Sequence, residues 1–99
     1  MDTKVKHDNT EVLYNAILAL KDTDECRAFF EDLCTALEIK AMAQRITVAR
    51  MLLKKEVYSE IVSLTGASTA IISRVNRSLQ NGRGAYEMLF KRLDQKGGS

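Results

Sequence analysis

The 99-residue chain has no proline, and its first glycine is Gly66. Nothing in the N-terminal two thirds therefore forces the backbone out of a helix by ring closure or by conformational freedom. No run of apolar residues approaches the roughly 20 needed to cross a bilayer, which excludes a spanning helix. Residues Met1 to Asn9 mix Asp2, Lys4, Lys6 and Asp8 and lack the apolar stretch and small-residue cleavage site of a secretory signal, so a cytoplasmic protein is expected. Cysteine is scarce. Cys26 and Cys34 lie eight residues apart, which matches neither a C-x-x-C site nor a disulfide framework, and both are read as reduced, small apolar side chains. The one histidine, His7, has no second ligand type nearby and is read as a solvated leader residue, with no metal site. No Ser/His/Asp or Cys/His set, buried carboxylate pair or phosphate-cradling glycine loop can be assembled, so no catalytic residue, cofactor or enzymatic activity is expected.

Hydrophobic residues make up 45% of the chain, which fits one packed domain over residues 1–99 with tails at 1–9 and 95–99. The net charge of +2 is small but unevenly spread. Residues 1–39 carry four bases against nine acids, whereas the chain from Lys40 onward carries eleven bases against four acids. The C-terminal part can thus neutralise phosphates, while the acidic part does something else.

Every periodic segment is helical in spacing. Val12, Leu13, Ala16, Ile17 and Leu20 form one stripe over Glu11 to Leu20. Asp22 or Thr23 can cap a second helix with Cys26, Phe29, Phe30, Leu33 and Cys34 on its apolar face. Thr35 and Glu38 have capping-box spacing and open a long third helix that ends at Lys54 and Lys55. Tyr58 to Thr65, Ser68 to Gln80 and Ala85 to Leu93 complete a six-helix, all-α reading. The first three helices carry more large apolar positions than one short bundle hides, and a second subunit would cover them.

The segment Tyr58 to Leu79 carries the function. Gly66 falls at a turn between two helices, where a positive φ is needed, and the pair reads as a helix-turn-helix over 58–79. Ile61, Leu64, Ile72, Val75 and Leu79 are spaced to lock these helices together and onto the third. What remains on the second helix is short and polar: Ser68, Thr69, Ala70, Ser73, Asn76 and Arg77. Small residues at the N-terminal end of such a helix allow close approach in a major groove. Hydroxyls there can bond phosphates or base edges, and methyl groups can pack on thymine. These residues are the candidate double-stranded-DNA contacts.

At this point the chain resembles the Trp repressor family. Its stretch Thr65-Gly-Ala-Ser-Thr-Ala-Ile-Ile-Ser-Arg-Val-Asn-Arg-Ser-Leu79 is similar to the YerC/YecD-type TrpR-related branch. The likeness extends through Asp32-Leu-Cys-Thr35 with Glu38, Ala43-Gln-Arg45 and Leu52-Leu53. It implies a TrpR-like six-helix subunit in an intertwined homodimer whose reading heads meet successive major grooves about 34 Å apart. It also implies a transcriptional repressor with an effector site at positions matching Thr35, Arg45, Arg74 and Ser78. The family has glycine directly after the second arginine, where an indole needs room, and this chain has Val75. An isopropyl group there would overfill the pocket, so tryptophan is not expected as corepressor. A different small effector, or none, remains open. So does a helical protein-interaction adaptor whose acidic N-terminal helices dock a basic partner.

Overall fold

The computed structural model describes the backbone of residues 2–97 and the side-chain surroundings of residues 9–96. Six helices follow one another: α1 (Asp2–Ala19), α2 (Thr23–Leu33), α3 (Ala36–Leu53), α4 (Tyr58–Thr65), α5 (Thr69–Asn81) and α6 (Ala85–Gly97). No strand occurs among the described residues. Both ends correct the sequence reading. Helix α1 starts at Asp2 rather than Glu11, so most of the leader expected as a tail continues the helix. No proline or glycine between Asp2 and Ala19 interrupts the hydrogen-bond ladder. Helix α6 passes Leu93 and runs through Gln95 and Lys96, both good helix formers, with Lys96 favourably placed against the helix dipole in the last turn. The remaining tail positions, Met1, Gly98 and Ser99, and the side chain of His7 lie outside the described residues.

The helix starts follow the capping residues. Asp22 Oδ1 accepts from the Glu25 amide at 2.9 Å, and Glu25 Oε1 accepts from the Lys21 amide at 2.9 Å. At α3 the box is reciprocal: Thr35 Oγ1 accepts from the Glu38 amide at 3.1 Å and Glu38 Oε1 from the Thr35 amide at 2.8 Å. These bonds satisfy amides that the first helical turn leaves without partners. Helix α3 ends in a Schellman arrangement, with the Lys55 amide on the Leu52 carbonyl at 3.0 Å and the Glu56 amide on the Met51 carbonyl at 3.1 Å. Lys55 takes the left-handed conformation this requires, at φ 68°.

The chain divides into two compact units, residues 1–39 and 40–99, at the position where the sign of its charge changes. In the first, no described residue is buried. Phe29 and Phe30 meet edge to face with centroids 5.6 Å apart, while Leu18 and Leu37 are 82% and 79% exposed. The second unit has a core: Val48 and Ala49 from α3, Ile61 from α4, Ala67 from the following turn, Ile72 and Val75 from α5, and Phe90 from α6. Burying a Val, Ile or Phe side chain contributes about 1.5–3 kcal/mol, so this set accounts for how α4 and α5 are fixed against α3 and α6. Arg50 caps the core, with its guanidinium 5.1 Å from the Phe90 ring centroid and a bond to Asp94. Among the described residues no helix is long and apolar enough to cross a membrane.

Candidate nucleic-acid interface

The site is built around the turn between α4 and α5. Gly66 closes α4 with φ 73° and ψ 4°, its amide on the Val62 carbonyl at 2.9 Å. A Cβ at Gly66 would meet nothing within 4 Å, so glycine is required here by backbone conformation and not by space. Thr65 organises the rest. Its hydroxyl donates to the Ile61 carbonyl at 2.7 Å and accepts from the Ala67 amide at 3.1 Å. Its own carbonyl accepts from Gln44 Nε2 at 3.1 Å. Gln44 thereby ties α3 to the turn, and Ala67, almost fully buried, pins the turn to the core. Ser68 then caps α5, its Oγ accepting from the Ile71 amide at 3.1 Å.

Of the residues expected to lock the pair, Ile61, Ile72 and Val75 are buried and Leu79 is half-buried. Leu64 is not, being 69% exposed. Helix α4 is two turns long, and Ile61 and Thr65, a full turn apart, take its inner line, where Thr65 makes the hydrogen bonds described above. Leu64, one residue before Thr65, is turned about 100° away. Ala67 and Phe90 belong to the core without having been singled out by periodicity. Ala67 lies in a turn and Phe90 in a helix whose stripe is short.

Helix α5 divides its residues cleanly. Ser68, Thr69, Ala70 and Arg77 are exposed, and Ser73 and Asn76 are half-buried. Counting about 100° per residue, Ala70, Ser73, Arg74, Arg77 and Asn81 lie opposite the buried line of Ile72, Val75 and Leu79. Asn76 stands on the flank of that line, further from the outer face than the other candidates. The outer face presents small side chains at its N-terminal end and two guanidinium groups further on. Neither Arg74 nor Arg77 forms an ion pair among the described residues.

The four candidate effector residues are distributed over both units. Thr35 belongs to residues 1–39, and its hydroxyl is engaged in capping α3. In the second unit, Arg74 and Ser78 share one shallow recess with Arg77, Asn81 and Gly82, and Ser78 Oγ donates to the Arg74 carbonyl at 3.3 Å. Arg45 is exposed on α3 and does not line that recess. Val75, at 2% exposure, is part of the core. Both cysteines are free and half-buried. Among the described residues no group of three or more His, Cys, Asp or Glu side chains gathers as a metal site.

Two members of the site escaped sequence reasoning. Gln44 lies 21 residues from its partner Thr65, a separation at which no local pattern operates. Asn81 lies one residue past the end expected for the fifth helix at Gln80, and its spacing of seven from Arg74 and three from Ser78 places it on their face.

A family model described as Trp repressor protein matches residues 8–94. The uncharacterized protein YerC of Bacillus subtilis is 50% identical over 92 residues, covering 93% of this chain and 88% of that protein. The crystal structure of a TrpR-like protein from Eubacterium eligens superposes with a TM-score of 0.87 at 52% identity, covering 92% of this chain and 94% of that one. A candidate Trp repressor from Staphylococcus aureus, also a crystal structure, gives a TM-score of 0.87 at 44% identity, with 93% and 92% covered.

Proposed function

The chain belongs to the Trp repressor family, and from that premise we propose that it is a homodimeric, cytoplasmic transcriptional repressor that binds a specific double-stranded DNA operator without responding to tryptophan. The observation that carries the reading is the outer face of α5. A left-handed glycine, a buried alanine and the Gln44 bond hold the turn. That fixes Thr69, Ala70 and Ser73 at the end of a helix whose other side is locked in the core. A recognition helix held in this way presents unencumbered small and polar side chains to base edges in the major groove. Ser68 contributes in a second way, because an N-cap that already bonds the Ile71 amide sets where α5 begins. Arg77 supplies charge toward the phosphates.

The lack of response to tryptophan rests on Val75. Its side chain packs among Val48, Ile61, Ile72 and Phe90, so the space an indole would need after Arg74 is taken by the protein itself. Arg45, Arg74, Thr35 and Ser78 are then free of a role in holding tryptophan, and a smaller effector is the alternative use for them. Fluorescence anisotropy with a duplex selected from a random pool tests the DNA reading. Arg77→Ala weakens binding at least tenfold, and unchanged affinity contradicts the role of α5. Calorimetric titration with tryptophan gives no binding heat and leaves DNA affinity unchanged. A stoichiometric heat overturns the assignment of Val75.

A further inference from the structure

The C-terminal half of α5 carries positive charge that no acidic side chain pairs with among the described residues. Arg74, Arg77, Ser78, Asn81 and Gly82 line an open recess there, brought together by spacings of three, four and seven on one helical face. No Asp or Glu occurs anywhere between Glu60 and Glu87, and neither arginine is ion-paired among the described residues. Stabilisation of the helix dipole does not explain them, because α5 has no basic residue in its last turn.

We infer that this recess seats one backbone phosphate of a DNA duplex, with the Arg74 and Arg77 guanidinium groups and the Asn81 amide as donors; the inference rests on the DNA-binding reading above. Ser78 is not counted among the donors, since its hydroxyl proton is directed to the Arg74 carbonyl. Length decides between a duplex and a free anion as occupant. Ser68 and Ser78 are ten residues apart, which is about 15 Å along a helix axis, and the major groove is about 12 Å wide. With its N-terminal end over the bases, α5 carries the recess to the phosphate rim of the groove. All five lining residues are exposed, so the recess can close onto a strand but cannot desolvate a small free anion. Arg74 is thereby assigned to positioning on DNA, in place of the effector site that the family resemblance implies.

The test uses the full chain, with binding to the selected duplex and to a scrambled duplex measured over a salt series for wild type, Arg74→Gln and Asn81→Ala. Arg74→Gln weakens both duplexes by the same factor, about five- to tenfold, and the slope of log affinity against log salt becomes shallower by about one. Asn81→Ala weakens both duplexes with the slope unchanged. Because Arg74 and Asn81 are exposed, helical circular dichroism stays at the wild-type level. If wild type binds while Arg74→Gln leaves affinity and slope unaltered, or weakens the selected duplex alone, the phosphate site is wrong and the DNA reading stands. If wild type binds neither duplex, the DNA reading itself fails. Phosphorus NMR of inorganic phosphate titrated with protein alone shows no saturable binding. Saturation that Arg74→Gln abolishes would assign the recess to a soluble anion and overturn the inference.

Discussion

Of the described positions with positive φ, Lys55, Gly66 and Gly84, the first two end helices but carry different residues. Gly66 does so without a Cβ penalty, whereas Lys55, at φ 68°, makes the equivalent helix-ending turn after α3 with a side chain in place. A left-handed non-glycine residue costs about 1–2 kcal/mol, part of which glycine returns through its greater freedom in the unfolded chain. Lys55→Gly is therefore expected to stabilise the protein by about 0.5–1 kcal/mol in urea unfolding, with the DNA affinity unaffected. The sequence made Gly66 legible and hid Lys55, because a lysine after an apolar helix reads first as a favourable charge at its C-terminus. Gly82 illustrates the converse. Its φ of −87° is open to any residue, but a Cβ there would run into the Ser78 carbonyl, so the glycine is kept by close approach. Spacing alone could not separate these cases. Nor could it tell that Thr65 takes the inner line of α4 while Leu64 faces out, since the choice is made by hydrogen bonds to Ile61 and Ala67.

At the scale of elements, the capped helices were the readable part. Asp22, the Thr35–Glu38 box and Gly66 each mark a boundary through a local hydrogen bond or dihedral, and α2, α3 and α4 fall where those signals put them. Helix α1 ran past its expected start because the apolar stripe begins at Val12 while nothing in the polar leader stops the ladder. The polar tie between α3 and the turn was unreadable, being a side-chain hydrogen bond across 21 residues that adds to the apolar packing. That bond has a measurable consequence. Gln44→Ala removes the donor to the half-buried Thr65 carbonyl and is expected to cost about 1 kcal/mol. Hydrogen exchange should accelerate at the amides of α4 and the turn while α6 keeps its protection. Uniform acceleration through α4, α5 and α6 would show that Gln44 acts on global stability and not on the reading head.

For the whole molecule, the contrast between the two units is the decisive feature. Residues 40–99 enclose a core, whereas residues 1–39 bury no described side chain and leave Leu18, Leu33 and Leu37 largely in solvent. Segments below about 40 residues rarely hold together without an added partner surface. A second copy supplies that surface in the proposed dimer, as the excess of apolar positions in the first three helices suggests from sequence alone. Sedimentation equilibrium is expected to return twice the chain mass, with a melting temperature that rises with protein concentration. A monomer whose melting temperature is independent of concentration would rule out the dimer. The charge division falls at the same boundary as the structural one, and the basic part contains the reading head. Whether Tyr58 to Leu79 reads DNA sequence is decided by the equilibrium affinity for a pool-selected duplex against that for a scrambled duplex at physiological salt. The selected site is expected to be two-fold symmetric and bound at least about a thousandfold more tightly than the scrambled duplex. Equal affinity for the two, or binding to neither, would contradict it.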